Sequence, residues 1–366
     1  MAQTLSDITQ ILRNSKNKVQ LVYAFNGTGK TRLSRAFKEE VAPKNNEDEQ
    51  SKIKVLYYNA FTEDLFFWDN DLDGDTERKL KIQPNSFTNW VLAEEGQEFN
   101  IAANFQHHTS NKINPVFSAD YSEVIFSIDT GDDQNLGNIK ISKGEESCFI
   151  WSVFYCFLNQ VIDVLNKAED RETDNFDDLE YVFIDDPVSS LDDNHLIELA
   201  VNLADLIKSS ESEVKFIVTT HNPLFYNVLY NEFNREKKIV KYRLEKLDDG
   251  TYNMENSTDS PFSYHLFLIS ELEKAIASGE IQKYHFNFLR NILEKSATFL
   301  GYRQWDDLLS NDTVGAREGY YKRVINFSSH SKFSGEEIPD ITESEKAMLA
   351  KLLHDFKTRH SFKLTI

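Results

Sequence analysis

Hydrophobic residues along this chain follow two rhythms. Residues 18–24 (KVQLVYA), 54–59 (KVLYYN), 181–184 and 214–219 are apolar at nearly every position. Such runs predict strands, the last two of the kind buried on both faces of a parallel sheet. Residues 30–40 and 194–208 predict helices between them, and 123–128 and 138–141 alternate like half-exposed strands. Residues 145–166 predict one long apolar helix, and residues 168–180 an acidic, exposed insertion. Strands alternating with helices indicate an α/β domain, a mixed sheet with flanking helices. The rhythm changes after residue 234. Residues 239–245 and 251–255 flank Asp249-Gly250, a hairpin signature. Helices follow at 263–277, 282–300 (stopped by Gly301), 317–329 and 343–360, the last opened by a Thr342/Glu345 capping box. The pattern divides the chain into an α/β domain, 1–235, and a mainly α-helical domain, 236–366, with a short N-terminal β-hairpin.

Composition adds three constraints. A chain of 366 residues is long enough for two cores. Its net charge of −20 argues against a nucleic-acid partner only until the charge is located. Residues 236–366 hold 19 basic and 20 acidic side chains, so the acidic excess lies in the α/β domain and the helical domain is free to bind RNA through a local patch. Cys148 and Cys156 are the only cysteines and sit in an apolar helical run, which predicts buried, reduced thiols. The N-terminus lacks the basic and apolar regions of a signal peptide, and no apolar stretch reaches the roughly 20 residues of a bilayer span. The expectation is a cytoplasmic protein.

Candidate chemistry begins at residues 24–31, AFNGTGKT, between a strand and a helix. In that context Asn26, Gly27, Thr28, Gly29, Lys30 and Thr31 form a phosphate-binding loop. Gly27 and Gly29 let amides turn toward phosphate oxygens, Lys30 reaches the β- and γ-phosphates, and the Thr31 hydroxyl ligates Mg²⁺. Ala24 stands where glycine is usual. Residues 181–186, YVFIDD, end a buried strand in two carboxylates: Asp185 for Mg²⁺ and Asp186 to polarise the attacking water. Ser142, Gly144 and Glu145 open a long helix, Asp192 follows the carboxylates, and His221 follows the strand KFIVTT. In this order the set resembles the nucleotide-binding domain of ABC-type ATPases, though with aspartate where glutamate is usual at 186 and no evident glutamine between loop and signature. The resemblance implies ATP or GTP with Mg²⁺. It also implies a homodimer closing head-to-tail over two nucleotides, because one copy holds one phosphate loop and one signature.

The helical domain offers a second constellation. Arg290 and Glu294 are four residues apart, on one helix face, at the edge of a stripe of Phe286, Leu289, Leu293, Ala297 and Leu300. A plain salt bridge is the bland explanation, although the favourable order places the acid first. Arg323 and His330 lie two turns apart on another helix, where a lone histidine is commonly a cap. Together they supply a base for a 2′-OH, an acid for a 5′-O leaving group, and cations for a charged phosphorane. Which of Glu294 and His330 is base and which is acid stays open. No metal-ligand spacing occurs here, so the expected chemistry uses no metal.

Longer stretches, YAFNGTGKTRLSR, LYYNAFTEDLF, ISKGEES, FIDDPVSSLDDNHLIELA, LRNILEK and RVINFSSH, resemble the PrrC family of anticodon nucleases from end to end. RVINFSSH also resembles helical HEPN ribonucleases. The resemblance implies an ABC-type ATPase fused to a HEPN-like nuclease, with Arg290, Glu294 and His330 catalytic. It implies a tRNA substrate, typically tRNA-Lys, cut 5′ of the wobble nucleotide to leave 2′,3′-cyclic phosphate and 5′-OH ends. It further implies a toxin-like role in phage defence, silenced by a type I restriction–modification complex, with Asp259 and Ser260 reading the anticodon. The competing reading is an SMC- or RecF-like ATPase on DNA with a protein-binding helical domain. That class inserts a long coiled coil, and residues 32–141 show no sustained heptads.

Overall fold

The computed structural model describes residues 2–43, 53–70, 74, 78–110, 112–129, 135–167, 171, 173–187, 193–247, 249–257, 263–308 and 341–360. The chain divides into two compact units, Met1–Ser260 and Pro261–Ile366.

The first unit is built on a six-stranded sheet in the order β11-β10-β1-β9-β8-β2. Its strands are β1 (Val19–Ala24), β2 (Val55–Tyr58), β8 (Tyr181–Asp185), β9 (Lys215–Thr220), β10 (Ile239–Lys246) and β11 (Tyr252–Asn256). All pairs are parallel except β10 with β11. β1 and β8 are buried at every position, as unbroken apolar runs require when both faces are covered. A second, antiparallel sheet runs β3-β4-β6-β5, with β7 on β6. It comprises β3 (Phe66–Asp69), β4 (Lys79–Ile82), β5 (Ile113–Phe117), β6 (Glu123–Asp129) and β7 (Asn135–Ile139).

Helices α1 (Leu5–Asn14), α2 (Lys30–Val41), α3 (Ala60–Glu63), α4 (Ser86–Asn89), α5 (Glu98–His107), α6 (Lys143–Asn166), α7 (Asp193–Ser209) and α8 (Pro223–Glu232) complete the unit. α6 is its spine. Phe149 packs on Phe66, Phe105, Phe117 and Phe126 around the second sheet. Trp151 and Phe154 pack on Tyr58 of β2, at 5.2 and 5.0 Å. Each fully buried ring of this kind stabilises the unit by about 1.5–3 kcal/mol. α6 corrects one expectation: it is long and apolar enough to span a bilayer, yet 72% of its most apolar stretch is buried inside the protein. Aromatic residues from both sheets surround its N-terminal half, and its polar residues Asn159, Asp163 and Asn166 line the surface of its C-terminal half.

The sequence-based boundary at 235/236 is also corrected. Strand β10 pairs in parallel with β1, Val19 through Ala24 against Ile239 through Leu244, so the hairpin belongs to the first sheet. Gln3 ties the outer edge of β11 to the N-terminus, exchanging backbone hydrogen bonds with Tyr252. The acidic segment before β8 is not wholly exposed: Phe176 is buried against Trp90 and Phe157.

Cys148 and Cys156 are free and buried, as expected. Burial pushes both thiols up to about 12. A disulfide reagent such as DTNB at pH 8 is therefore expected to titrate neither thiol in the folded protein and both after guanidinium denaturation.

The second unit contains α9 (Ser263–Ser278), α10 (Lys283–Leu300) and α11 (Glu343–Arg359). Leu272, Phe286, Leu289, Leu293, Leu352 and Phe356 meet in its core. The expected stripe on α10 holds except at its end. Leu300 is 46% exposed, because Gly301, at φ 78°, ends the helix beyond the core. The expected helix at 317–329 lies outside the described residues.

Candidate functional site

Parallel neighbouring strands end on the same side of a sheet, and that is where open α/β folds collect their ligand groups. Here the ends of β1, β8 and β9 bring together the phosphate loop, two carboxylates and a pair of threonines. Gly27 and Gly29 adopt φ of 82° and 102°, values that favour glycine. A Cβ at Gly29 would also stand 3.2 Å from the Tyr252 hydroxyl, so the loop is closed around by β11.

Lys30 is buried at the start of α2. Its Nζ lies 3.3 Å from the carbonyls of Ala24 and Phe25, 3.4 Å from Asn26 Oδ1 and 3.4 Å from Asp186 Oδ2. Thr31 Oγ1 donates to Asp185 Oδ2 at 2.7 Å, and Thr219 Oγ1 donates to Asp185 Oδ1 at 2.5 Å. Asp186 accepts from the Thr220 hydroxyl at 3.1 Å and the His221 amide at 3.3 Å, and its other oxygen meets His221 Nδ1. The backbone at Asp186 is left-handed, φ 52°, a conformation that costs of order 1 kcal/mol and is concentrated at functional positions.

The two adjacent carboxylates are driven apart electrostatically. Burial pushes Asp185 up from its ordinary value, against the hydrogen bonds from Thr219 and Thr31. Burial acts on Asp186 too, but the bond to His221 and the Lys30 charge carry it below its ordinary value. Asp186 thus stays an anion facing Lys30 and His221. Thr31 and Asp185 present hard oxygen donors within 2.7 Å of each other, a donor set that fits Mg²⁺.

Ser142 caps α6 in a reciprocal box: its hydroxyl accepts from the Glu145 amide at 3.3 Å, and Glu145 accepts from the Ser142 amide at 2.7 Å. Gly144 follows in the first turn. Asn222 caps α8 by accepting from the amides of Leu224 and Phe225, which fixes the turn that carries His221. Sequence reasoning missed Thr219, Thr220 and Tyr252. The Thr-Thr pair at the end of a buried strand was the available signal for the first two; Tyr252 had none, since only strand pairing brings it near Gly29.

In the second unit Arg290 Nε donates to Glu294 Oε1 at 2.7 Å, on the solvent side of α10. The arginine is 25% and the glutamate 45% exposed. Arg323 and His330, Asp259 and Ser260, and Asp192 lie outside the described residues.

Comparison with known proteins gives this geometry its context. A family model described as an AAA domain matches residues 130–357. An anticodon nuclease of Escherichia coli is 51% identical over 395 aligned positions, covering 99% of this chain and 98% of its own length. The chain belongs to the anticodon nuclease family. Its first unit is an α/β ATPase domain with a mixed sheet, the nucleotide- and Mg²⁺-binding part of this anticodon nuclease family member. Among solved structures, the SMC head domain from Thermotoga maritima is 12% identical, covering 66% of this chain and 91% of its own length, with a TM-score of 0.32. The Smc head bound to the C-winged helix domain of ScpA is 14% identical, covering 66% of this chain and 90% of its own length, with a TM-score of 0.33. Scores this low carry no argument, and the domain assignment rests on the family match and the sheet order.

Proposed function

We propose that this chain is a nucleotide-regulated endoribonuclease that cuts a tRNA anticodon loop without a metal. The observation that carries the reading is the 51% identity with an anticodon nuclease along almost the whole of both chains. It also favours the nuclease over the SMC- or RecF-like alternative. The Arg290–Glu294 pair, exposed on α10, supplies a carboxylate and a guanidinium where RNA has access. Arg323 and His330, carried by a HEPN-like helical domain, complete the set.

The reaction is a transesterification. A base, Glu294 or His330, takes the proton of the 2′-OH; the 2′-oxygen forms a bond to phosphorus, and the bond from phosphorus to the 5′-oxygen breaks. The other group protonates the departing 5′-oxygen, while Arg290 and Arg323 hold the phosphorane's charge. The products are a 2′,3′-cyclic phosphate and a 5′-OH end. The substrate is a tRNA, with tRNA-Lys cut 5′ of the wobble nucleotide as the first candidate, and Asp259 and Ser260 contact the anticodon. Charge neutralisation and polarisation of the terminal phosphate are what bound Mg²⁺ supplies. Thr31 and Asp185 are the residues that would hold the ion, and Lys30 and the loop amides grip the phosphates of ATP or GTP. Asp186, aided by His221 and strained at its own backbone, orients the attacking water. Ser142, Gly144, Glu145 and Asp192 face the nucleotide of a second copy in a closed homodimer. The cellular role is phage defence in the cytoplasm, with a type I restriction–modification complex as silencing partner.

Incubating the purified chain with total tRNA in EDTA tests the reading. Discrete anticodon-loop cuts are expected, retained in the chelator and lost in His330→Ala. Intact tRNA alongside a folded, nucleotide-binding protein would overturn it.

A further inference from the structure

The solvent side of α10 is built differently from the rest of the surface. Of the ten large hydrophobic side chains exposed among the described residues, four fall between residues 284 and 302. Phe299 is 81% exposed, Tyr284 52%, Leu300 46% and Tyr302 39%. Tyr284 and Phe299 stand about 22 Å apart along the helix axis, and exposed rings concentrated on one helix and its following turn mark a surface that something else covers.

Helical spacing places the rings around the helix from the Arg290–Glu294 pair, Tyr284 roughly 80° and Phe299 roughly 140° from Glu294, so the pair and Phe299 stand at opposite edges of the exposed face. Tyr284, Lys295 and Phe299 share one stripe at offsets of 11 and 4 residues, and Asn291 and Thr298 fill the strip between that stripe and Glu294. Along the axis Phe299 lies about 7.5 Å from Glu294 on one side, and Tyr284 about 15 Å on the other. The charge of the face is equally selective. In a chain of net charge −20, the only carboxylate on α10 itself is Glu294, which is ion-paired to Arg290. Lys295 and Arg303 are exposed at the rings; the turn also carries Asp306 and Asp307, and the exposed Asp307 accepts from the Gln304 amide at 3.2 Å. Neutral amides, a hydroxyl, aromatic rings and cations are the groups that hold single-stranded RNA. Rings stack on unpaired bases, and cations follow the backbone.

We propose that this face of α10, with the turn after it, is the stacking platform for unpaired bases flanking the scissile bond of the RNA substrate. Phe299 and Tyr284 each hold a base, and Lys295 and Arg303 hold phosphates. The proposal rests on the ribonuclease reading above and adds to it the surface that grips the loop. A ring selects a base by its π-face rather than its edges, so the platform gives affinity without choosing a sequence.

The experiment is steady-state cleavage of tRNA by the full chain and by Phe299→Ala, Tyr284→Ala and Phe299→Trp. Each alanine is expected to raise KM about five-fold or more, the effect of losing one stacked base. The expected kcat stays within about two-fold, because neither ring reaches the phosphorane. Phe299→Trp restores KM, which a merely structural role would not produce. Lys295→Ala is expected to flatten the salt dependence of KM by about one phosphate contact. Phe299→Ala with wild-type KM overturns the platform. A change in sedimentation mass of Phe299→Ala, with KM unchanged, overturns it in favour of an interface between copies. Wild-type protein that leaves tRNA intact refutes the nuclease reading itself, which separates the two failures.

Discussion

Glu294→Gln is expected to lower tRNA cleavage by about 10²–10⁴-fold, the usual contribution of a general acid or base. The substitution keeps the side chain's size and removes its charge and its ability to exchange a proton. Its effect on stability separates the competing explanations of the Arg290–Glu294 pair. As a helix salt bridge, the pair is 45% exposed at the glutamate, and the acid follows the base, the weaker orientation. Such a pair contributes under about 0.5 kcal/mol, and salt screens it. Thermal unfolding of Glu294→Gln is therefore expected to match wild type while cleavage collapses. Cleavage at the wild-type rate would leave the pair as a helix salt bridge and move the chemistry elsewhere.

Lys30→Ala is expected to weaken nucleotide binding by about 10–100-fold, the worth of a charge-assisted hydrogen bond lost at a buried site. Lys30 is 7% exposed and has no bulk water to replace it. Among the described residues its removal leaves His221 as the one opposing group beside Asp186, and thus raises the local negative charge that the terminal phosphate must approach. The proposed head-to-tail dimer predicts a nucleotide-dependent shift in sedimentation that vanishes in Lys30→Ala; a shift retained in the variant would count against closure over the terminal phosphate. The same titration has a pH signature. Asp185 must be ionised to hold a cation, and burial has pushed its carboxyl upward. Mg²⁺-dependent nucleotide affinity is therefore expected to fall on acidification, beginning at a higher pH than an ordinary carboxylate would impose. Asp185→Asn should abolish that limb of the profile. Asp186, pulled below its ordinary value, stays charged through the same range and contributes nothing to it.

What the sequence determined by itself was local. The strand KVQLVYA, the loop FNGTGKT and the helix after it are read from adjacent residues, because a phosphate loop is made of consecutive amides and one following lysine. The carboxylates Asp185 and Asp186 were legible for the same reason, at the end of an apolar run that admits no other place for charge. Arg290 and Glu294 were legible as a pair because helical spacing alone puts them side by side. The tertiary structure decided what depends on partners distant in the chain. Strand β10 announces itself by alternation but not by its neighbour, and only its pairing with β1 moved the hairpin into the first unit. Burial raised Asp185, while His221, carried past the end of β9, and Lys30 drew the largely buried Asp186 below its ordinary value, so two adjacent aspartates shift in opposite directions. Phe176 and Phe299 are the same residue type in polar surroundings, yet one is enclosed by Trp90 and Phe157 and the other stands in solvent. Periodicity fixes the direction in which a side chain leaves its own element. What it meets there is set by long-range packing, which a single segment does not encode.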